Sequence, residues 1–252
     1  MQLANTTAIV TGGASGLGAA TAAALAAQGA RVVALDLPDA CASAPAVDGV
    51  AYAHTDVTSE EQVRAAVAQA SDDPARPLRT VVNCAGIGPS ARIVGRKGVH
   101  DLGLFRKVVE INLIGSFTVL AVAAEAIAAT EPVDGQRGVV VNTASIAAFD
   151  GQVGQAAYSA SKGGIVGLTL PAARDLAQYG IRVVTIAPGI VETPMLATVS
   201  DEFRAGLAAG VPFPARLARP EEYAKLALAV VDHDYLNGET IRMDGALRMA
   251  PR

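Results

Sequence analysis

Short β-branched runs alternate with alanine-rich segments along almost the whole chain, and this alternation narrows the possible folds more than any other feature. Thr7–Thr11, Arg31–Leu35, Val50–His54, Thr80–Asn83, Val139–Asn142, Arg182–Ala187 and Thr240–Met243 read as strands. Leu17–Gln28, Ser59–Ala70, Leu102–Ala129, Ala156–Tyr179 and Glu221–Val231 carry helical patterns. The strands are continuously apolar rather than alternating, so both faces of their sheet must be covered. Strands that alternate with helices in this way predict an α/β fold with a doubly wound parallel sheet of about seven strands and helices on both faces. A length of 252 residues suits a single domain with a full core. No Pro/Gly/Ser-rich linker and no internal repeat divides it.

Composition then removes several classes of function. The net charge is −4 and basic residues do not cluster, which argues against nucleic acid as the main partner. The two cysteines, Cys41 and Cys84, form no CxxC, and His54, His100 and His233 are scattered, so neither a disulfide framework nor a metal site is expected. The opening MQLANTTAIV lacks a basic or Arg-rich leader pattern, and the expected location is cytoplasmic. One window, Ile111–Ala129, is apolar enough to suggest a membrane span. It carries Asn112, Ser116 and Glu125, so a buried helix at a subunit contact is the better reading, with no membrane involved. Ser90–Asp101, with Arg96 and Lys97, and Thr130–Gly138 read as insertions. Met195–Arg219 reads as a long excursion with one or two short helices, placed to cover a ligand at the strand ends.

Between the first strand and first helix lies Thr11-Gly12-Gly13-Ala14-Ser15-Gly16-Leu17-Gly18. Glycines belong where backbone turns tightly and approaches a pyrophosphate, whose charge then faces the free N–H groups of the helix start. The spacing, GxxxGxG, differs from the commoner GxGxxG. Asp36 closes the second strand, where an acid can accept the ribose hydroxyls of adenosine and repel a 2′-phosphate. No Lys or Arg in Gly13–Gly16 or at 37 offsets it, which favours NAD(H) over NADP(H). Asp56-Val57 and Asn83-Cys84-Ala85-Gly86 close the next two strands, where adenine and its ribose should run.

Tyr158-Ser159-Ala160-Ser161-Lys162 supplies chemistry. On a helix, Tyr158 and Lys162 stand one turn apart on the same face. A neighbouring ammonium is expected to lower the phenol's pKa from about 10, making Tyr158 a proton donor or acceptor for an alcohol or ketone. Ser145, upstream, can hydrogen-bond the developing charge on oxygen. With the glycine loop, these groups read as hydride transfer.

The chain resembles the short-chain dehydrogenases/reductases over nearly its whole length, and so a Rossmann-type fold is implied. TGGASGLG (11–18), NCAG (83–86), Asn112, Ser145, YSASK (158–162) and PGIVETP (188–194) carry the resemblance. Residues 135–177, VPFPARL (211–217) and LNGETIRMDGALRM (236–249) are similar to the branch of type 2 3-hydroxyacyl-CoA dehydrogenases. The resemblance implies Tyr158 as general acid/base and Ser145 as the hydrogen-bond partner of the substrate oxygen. Lys162 would hold the nicotinamide ribose and lower the pKa of Tyr158, and Tyr158 would itself contact the cofactor. Asn112 would interrupt its helix and support a water that relays protons to Lys162. Contacts to NAD would come from Gly12, Ser15, Gly16, Leu17 and Gly18 in the loop. Further contacts would come from Asp36, Asp56 and Val57, then Cys84, Ala85 and Gly86, and finally Pro188, Val191 and Thr193. Gln152 and Gln155 would face the substrate entrance. A homotetramer is implied, acting on a small-molecule substrate, with (3S)-3-hydroxyacyl-CoA the first candidate. A 3-oxoacyl-carrier-protein reductase or a hydroxysteroid dehydrogenase is the alternative. A catalytically silent NAD-binding module is the reading from another class, and the intact Ser145, Tyr158 and Lys162 speak against it. Cys84 departs from the family, where Asn is more usual.

Overall fold

A computed structural model describes residues 1–96, 98–196 and 201–251. Lys97 and part of the Met195–Arg219 excursion lie outside the described residues. In chain order the elements are β1 (Thr7–Thr11), α1 (Gly16–Ala27), β2 (Arg31–Asp36), α2 (Pro38–Ser43), β3 (Val50–His54), α3 (Glu60–Ala70) and β4 (Leu78–Asn83). A small antiparallel pair follows, β5 (Val94–Gly95) and β6 (Gly98–Val99), then α4 (Leu102–Val109), α5 (Ser116–Ala128) and β7 (Gly138–Thr143). The chain ends with α6 (Ala156–Leu176), β8 (Ile181–Pro188), α7 (Asp201–Ala209), α8 (Pro220–Asp232) and β9 (Thr240–Met243).

The main sheet has the order β3-β2-β1-β4-β7-β8-β9, and its pairings are parallel. Successive strand residues point to opposite faces. Ile9, Val33, Leu35 and Val81 therefore join one core with Val63 and Val67 of α3, Val119 and Ala123 of α5 and Ala173 of α6. Ala8, Val10, Val32 and Val82 join the other with Ala22 and Leu25 of α1 and Tyr223 and Val230 of α8. Two cores on one sheet explain why the strand runs are apolar throughout.

All seven expected strands are present, and the differences are local. α2 is too short to show a period in sequence, and its proline sits at the start, where the missing N–H costs nothing. The insertion at Ser90–Asp101 holds the β5–β6 pair. The single helix expected over Leu102–Ala129 is broken by a π-turn at Glu110–Gly115, with Asn112 at its centre. The rod from Leu102 to Ala128 is long and apolar enough to cross a membrane, yet half of its most apolar window is buried inside the fold.

Candidate active site

β1 and β4 are neighbours whose onward connections run to opposite sides of the sheet, so a crevice opens at their C-terminal ends. The Thr11 hydroxyl accepts hydrogen bonds from the Cys84 and Ala85 N–H groups, both at 3.0 Å, and so ties the glycine loop to the end of β4. Gly12 has φ +64°, and a Cβ there would lie 2.9 Å from the Ala85 nitrogen. A side chain at Gly18 would collide with the Gly12 carbonyl, so only glycine lets α1 start this close to the loop. Ser15, at the N-cap of α1, is extended and makes no side-chain cap, and no acidic residue lies in the first turn. The positive end of α1 therefore keeps unclaimed N–H donors. Gly16 packs near Thr193, and Leu17 packs on the core behind the loop.

Asp36 stands at the end of β2. Its Oδ2 accepts from the Ala14 N–H at 3.0 Å and its Oδ1 from the Leu37 N–H at 2.9 Å, which leaves lone pairs for a diol. Asp56 is more occupied: its Oδ1 accepts from both the backbone and the hydroxyl of Thr58, at 2.9 and 2.8 Å. Val57 is buried against Gly115 of the π-turn. Pro188 ends β8, and Val191 bridges to Ala218 in parallel pairing. A glycine-rich loop, an open helix end and an oriented carboxylate fit a dinucleotide, with its pyrophosphate at α1 and its adenosine ribose at Asp36.

Cys84 occupies the position where the family more often has Asn, and the structure shows what replaces the amide. The Thr143 hydroxyl donates to the Cys84 Sγ at 3.6 Å and shares a 2.6 Å hydrogen bond with the fully buried Tyr223 hydroxyl. Burial pushes the Cys84 thiol up, so it stays neutral. Support for the central strands comes instead from Asn83, whose Nδ2 donates to Asn142 Oδ1 at 2.9 Å.

Ser145, Tyr158 and Lys162 gather beside this crevice. Ser145 follows β7 and caps a short 3₁₀ turn, Ile146–Ala148, its Oγ accepting from the Ala147 N–H at 3.1 Å. Tyr158 and Lys162 lie on the first turns of α6. Lys162 is buried, its Nζ donates to the Thr143 carbonyl at 2.7 Å, and it lies 5.9 Å from the centre of the Tyr158 ring. Burial pulls its pKa from 10.5 down to about 8. The expected lowering of the Tyr158 pKa by Lys162 is corrected here. Burial raises it, and only the hydrogen bond with Ser145 acts in the opposite sense. The reason is geometric, since the ammonium is directed at a carbonyl rather than at the phenol oxygen.

The Asn112 side chain, fully buried, makes a two-way pair with the backbone of Ile87 (2.8 and 2.9 Å) and donates to the Ser161 hydroxyl at 3.1 Å. A Cβ at Gly86 would lie 3.0 Å from Asn112 Oδ1 and 3.6 Å from Lys162 Nζ, so the π-turn reaches the lysine's surroundings. Gln155 Oε1 accepts from the Gln152 N–H at 2.9 Å, and Gln152 Nε2 donates to the Ala250 carbonyl at 2.8 Å. Both glutamines thus fix the loop between Ser145 and Tyr158, and one of them ties it to the C-terminal tail. The sequence reading missed Thr11, Thr143, Tyr223 and Arg242. Thr11, Thr143 and Arg242 stood inside quoted stretches, but the contacts that matter here, Thr143 to Tyr223 and Arg242 to Asp150, join residues 80 and 92 positions apart and leave no local signal.

The family model for short chain dehydrogenase matches residues 6–203. The 3-hydroxyacyl-CoA dehydrogenase type-2 of Bos taurus is 53% identical, over 97% of this chain and 95% of that protein. The protein of the same name from Drosophila melanogaster is 51% identical, over 99% of this chain and 100% of that protein. The crystal structure of 3-hydroxyacyl-CoA dehydrogenase type-2 from Mycobacterium avium superposes with a TM-score of 0.91 at 43% identity, covering 98% of each chain. The chain belongs to the short-chain dehydrogenase family.

Proposed function

We propose that this chain is an NAD-dependent oxidoreductase that interconverts a 3-hydroxyacyl-CoA and the corresponding 3-oxoacyl-CoA. One observation carries the chemistry: Ser145, Tyr158 and Lys162 meet at the strand ends beside the glycine loop and Asp36. The names of the relatives support the substrate class. Gly12–Gly18 and the start of α1 would hold the pyrophosphate, Asp36 the adenosine ribose and Lys162 the nicotinamide ribose. When bound, NAD(H) supplies the hydride acceptor or donor.

The protein's own part is proton handling and orientation. The Ser145 Oγ accepts from Ala147, and its rotatable O–H can donate to the substrate oxygen. Tyr158 takes the hydroxyl proton in oxidation and returns it in reduction. Burial raises the Tyr158 pKa, so the phenol carries its proton at neutral pH and is set to donate it in reduction. Asp36, with no adjacent cation in the loop, disfavours a 2′-phosphate.

The excursion after β8 leaves and returns at one point, since Val191 pairs with Ala218 and the Ala218 N–H donates to the Ile190 carbonyl at 3.0 Å. Val211, on its return limb, packs with Ile146 beside Ser145. We read this segment as the cover of the substrate cleft. Leu102, Ile114 and Phe117 are exposed on the α4–α5 rod, and Leu170 on α6, which suits burial between copies in a homotetramer. Sedimentation of the purified protein tests that assembly.

The function is tested by following absorbance at 340 nm with acetoacetyl-CoA and NADH, then NADPH, then a 3-oxoacyl-carrier-protein with each. Strong NADH-dependent reduction of the CoA ester is expected. NADPH-dependent reduction of the carrier-protein substrate alone would overturn the proposal.

A further inference from the structure

Arg242, on the edge strand β9, reaches toward the turn that carries Ser145. Its Nη2 donates to Asp150 Oδ2 at 2.6 Å and to the Leu247 carbonyl at 3.1 Å, and its Nε donates to Asp244 Oδ2 at 2.7 Å. The guanidinium carbon lies 5.1 Å from the centre of the Phe149 ring. All three charged side chains are largely removed from solvent, at 21% exposure for Arg242, 19% for Asp150 and 7% for Asp244. A planar fork with three acceptors and a stacked ring has one geometry, unlike a mobile surface pair.

Asp150 transmits that geometry. Its N–H donates to the Ile146 carbonyl at 2.9 Å, and the Ala148 N–H donates to the Ser145 carbonyl at 3.0 Å. The Ser145 turn is therefore hydrogen-bonded into the segment that Arg242 grips. Further ties run from that segment to the same tail: Gln152 Nε2 to the Ala250 carbonyl at 2.8 Å, the Val153 N–H to the Pro251 carbonyl at 3.0 Å, and Ile146 packed on Leu247. Arg242 lies 92 positions from Asp150 along the chain, so nothing local holds the Ser145 turn to the sheet's far edge.

We propose that Arg242 is a positioning residue for hydride transfer: it latches the Ser145 turn to β9 and the C-terminal tail and thereby fixes the direction of the Ser145 hydroxyl. The inference rests on the hydride-transfer reading above. A displacement of about 1 Å in an orienting group can cost up to a hundredfold in rate. The latch should thus appear in kcat while leaving dinucleotide binding alone, because none of its hydrogen-bond partners is a residue of the proposed dinucleotide cradle.

The test is a double-mutant cycle on acetoacetyl-CoA reduction by NADH, pairing Arg242→Met with Ser145→Ala. Arg242→Met is expected to lower kcat about tenfold in the wild-type background and less than about twofold where Ser145 is already Ala. The NADH Kd, read by fluorescence, should stay within about twofold. Arg242→Lys should recover part of the loss, since one donor still reaches Asp150. Equal losses in the two backgrounds, or an unchanged kcat, would overturn the proposal in favour of a purely structural role. Asp150→Asn runs the same cycle should Arg242→Met fail to fold. Wild-type inertness toward the thioester would strike the substrate reading alone, and the cycle on another reducible ketone would still decide the role of Arg242. Inertness toward every ketone would overturn both.

Discussion

The side of the crevice that we assign to a dinucleotide and the side that we assign to substrate are built in different ways. On the first, the working parts are strand ends and backbone: Gly12 and Gly18 make room, the open end of α1 offers N–H groups, and Asp36 is oriented by Ala14 and Leu37. Their positions follow from parallel strands in fixed register. On the second, segments far apart in the chain are lashed by side chains. Residues 145–155 meet the tail through Arg242–Asp150 and Gln152–Ala250, and the excursion returns through Arg216–Glu222. The first arrangement suits a ligand common to a family, and the second can be rebuilt for each substrate without disturbing the sheet.

The sharpest test of that division is Tyr158→Phe, which removes the proton-transfer hydroxyl and leaves the glycine loop, Asp36 and Lys162 in place. Turnover should fall about a thousandfold in steady-state assays while NADH still binds. If NADH binding is lost as well, the two sides are not separable. Next in size is Asp36→Ala, which acts on the dinucleotide side alone. The ratio of kcat/KM for NADPH over NADH should rise about a hundredfold, because a like charge facing a 2′-phosphate costs several kcal/mol. The KM for the acyl substrate should hardly move.

Gln152→Ala probes the substrate side with a smaller effect. Cutting its hydrogen bond to Ala250 should raise the KM for acetoacetyl-CoA about fivefold, the net worth of one such bond, with the NADH Kd unchanged. The smallest effect concerns pH. The Arg216 guanidinium, and then the Arg219 backbone N–H, hold the Glu222 carboxyl at about 2 against 4.5 in the unfolded chain. A depressed carboxyl pKa adds stability that is complete above about 4.5 and is lost as pH falls through about 2. Glu222 is partly exposed, so solvent screens the pair and the gain is modest. Thermal unfolding from pH 7 down to pH 3 should show a shallower acid limb in Glu222→Gln. An identical limb would mean that the excursion's return is not held by this pair.

Most of the dinucleotide side was legible in the residues, because its signals are local. A glycine loop between strand and helix, an acid at the next strand end and a Tyr–Lys pair one helical turn apart each declare their geometry within a few positions. The π-turn at Asn112 was legible only through family likeness, since no composition signal separates Glu110–Gly115 from ordinary helix. The expected effect of Lys162 on Tyr158 failed for a reason spacing cannot carry. Being one turn apart places the two side chains on one face, but the Thr143 carbonyl, from a different strand, decides where the ammonium points.

By itself the sequence determined the layer order, the apolar strands, the open start of α1 and the residue types that can move a proton. These depend on period, φ preference and side-chain chemistry, which are properties of short stretches. Only the tertiary structure decided that Cys84 lies between Thr143 and Tyr223, that burial sets the pKa of Lys162 near 8 and raises that of Tyr158, and that Arg242 grips the Ser145 turn. Desolvation and long-range hydrogen bonds depend on which distant segments the sheet brings together, and no local pattern encodes that.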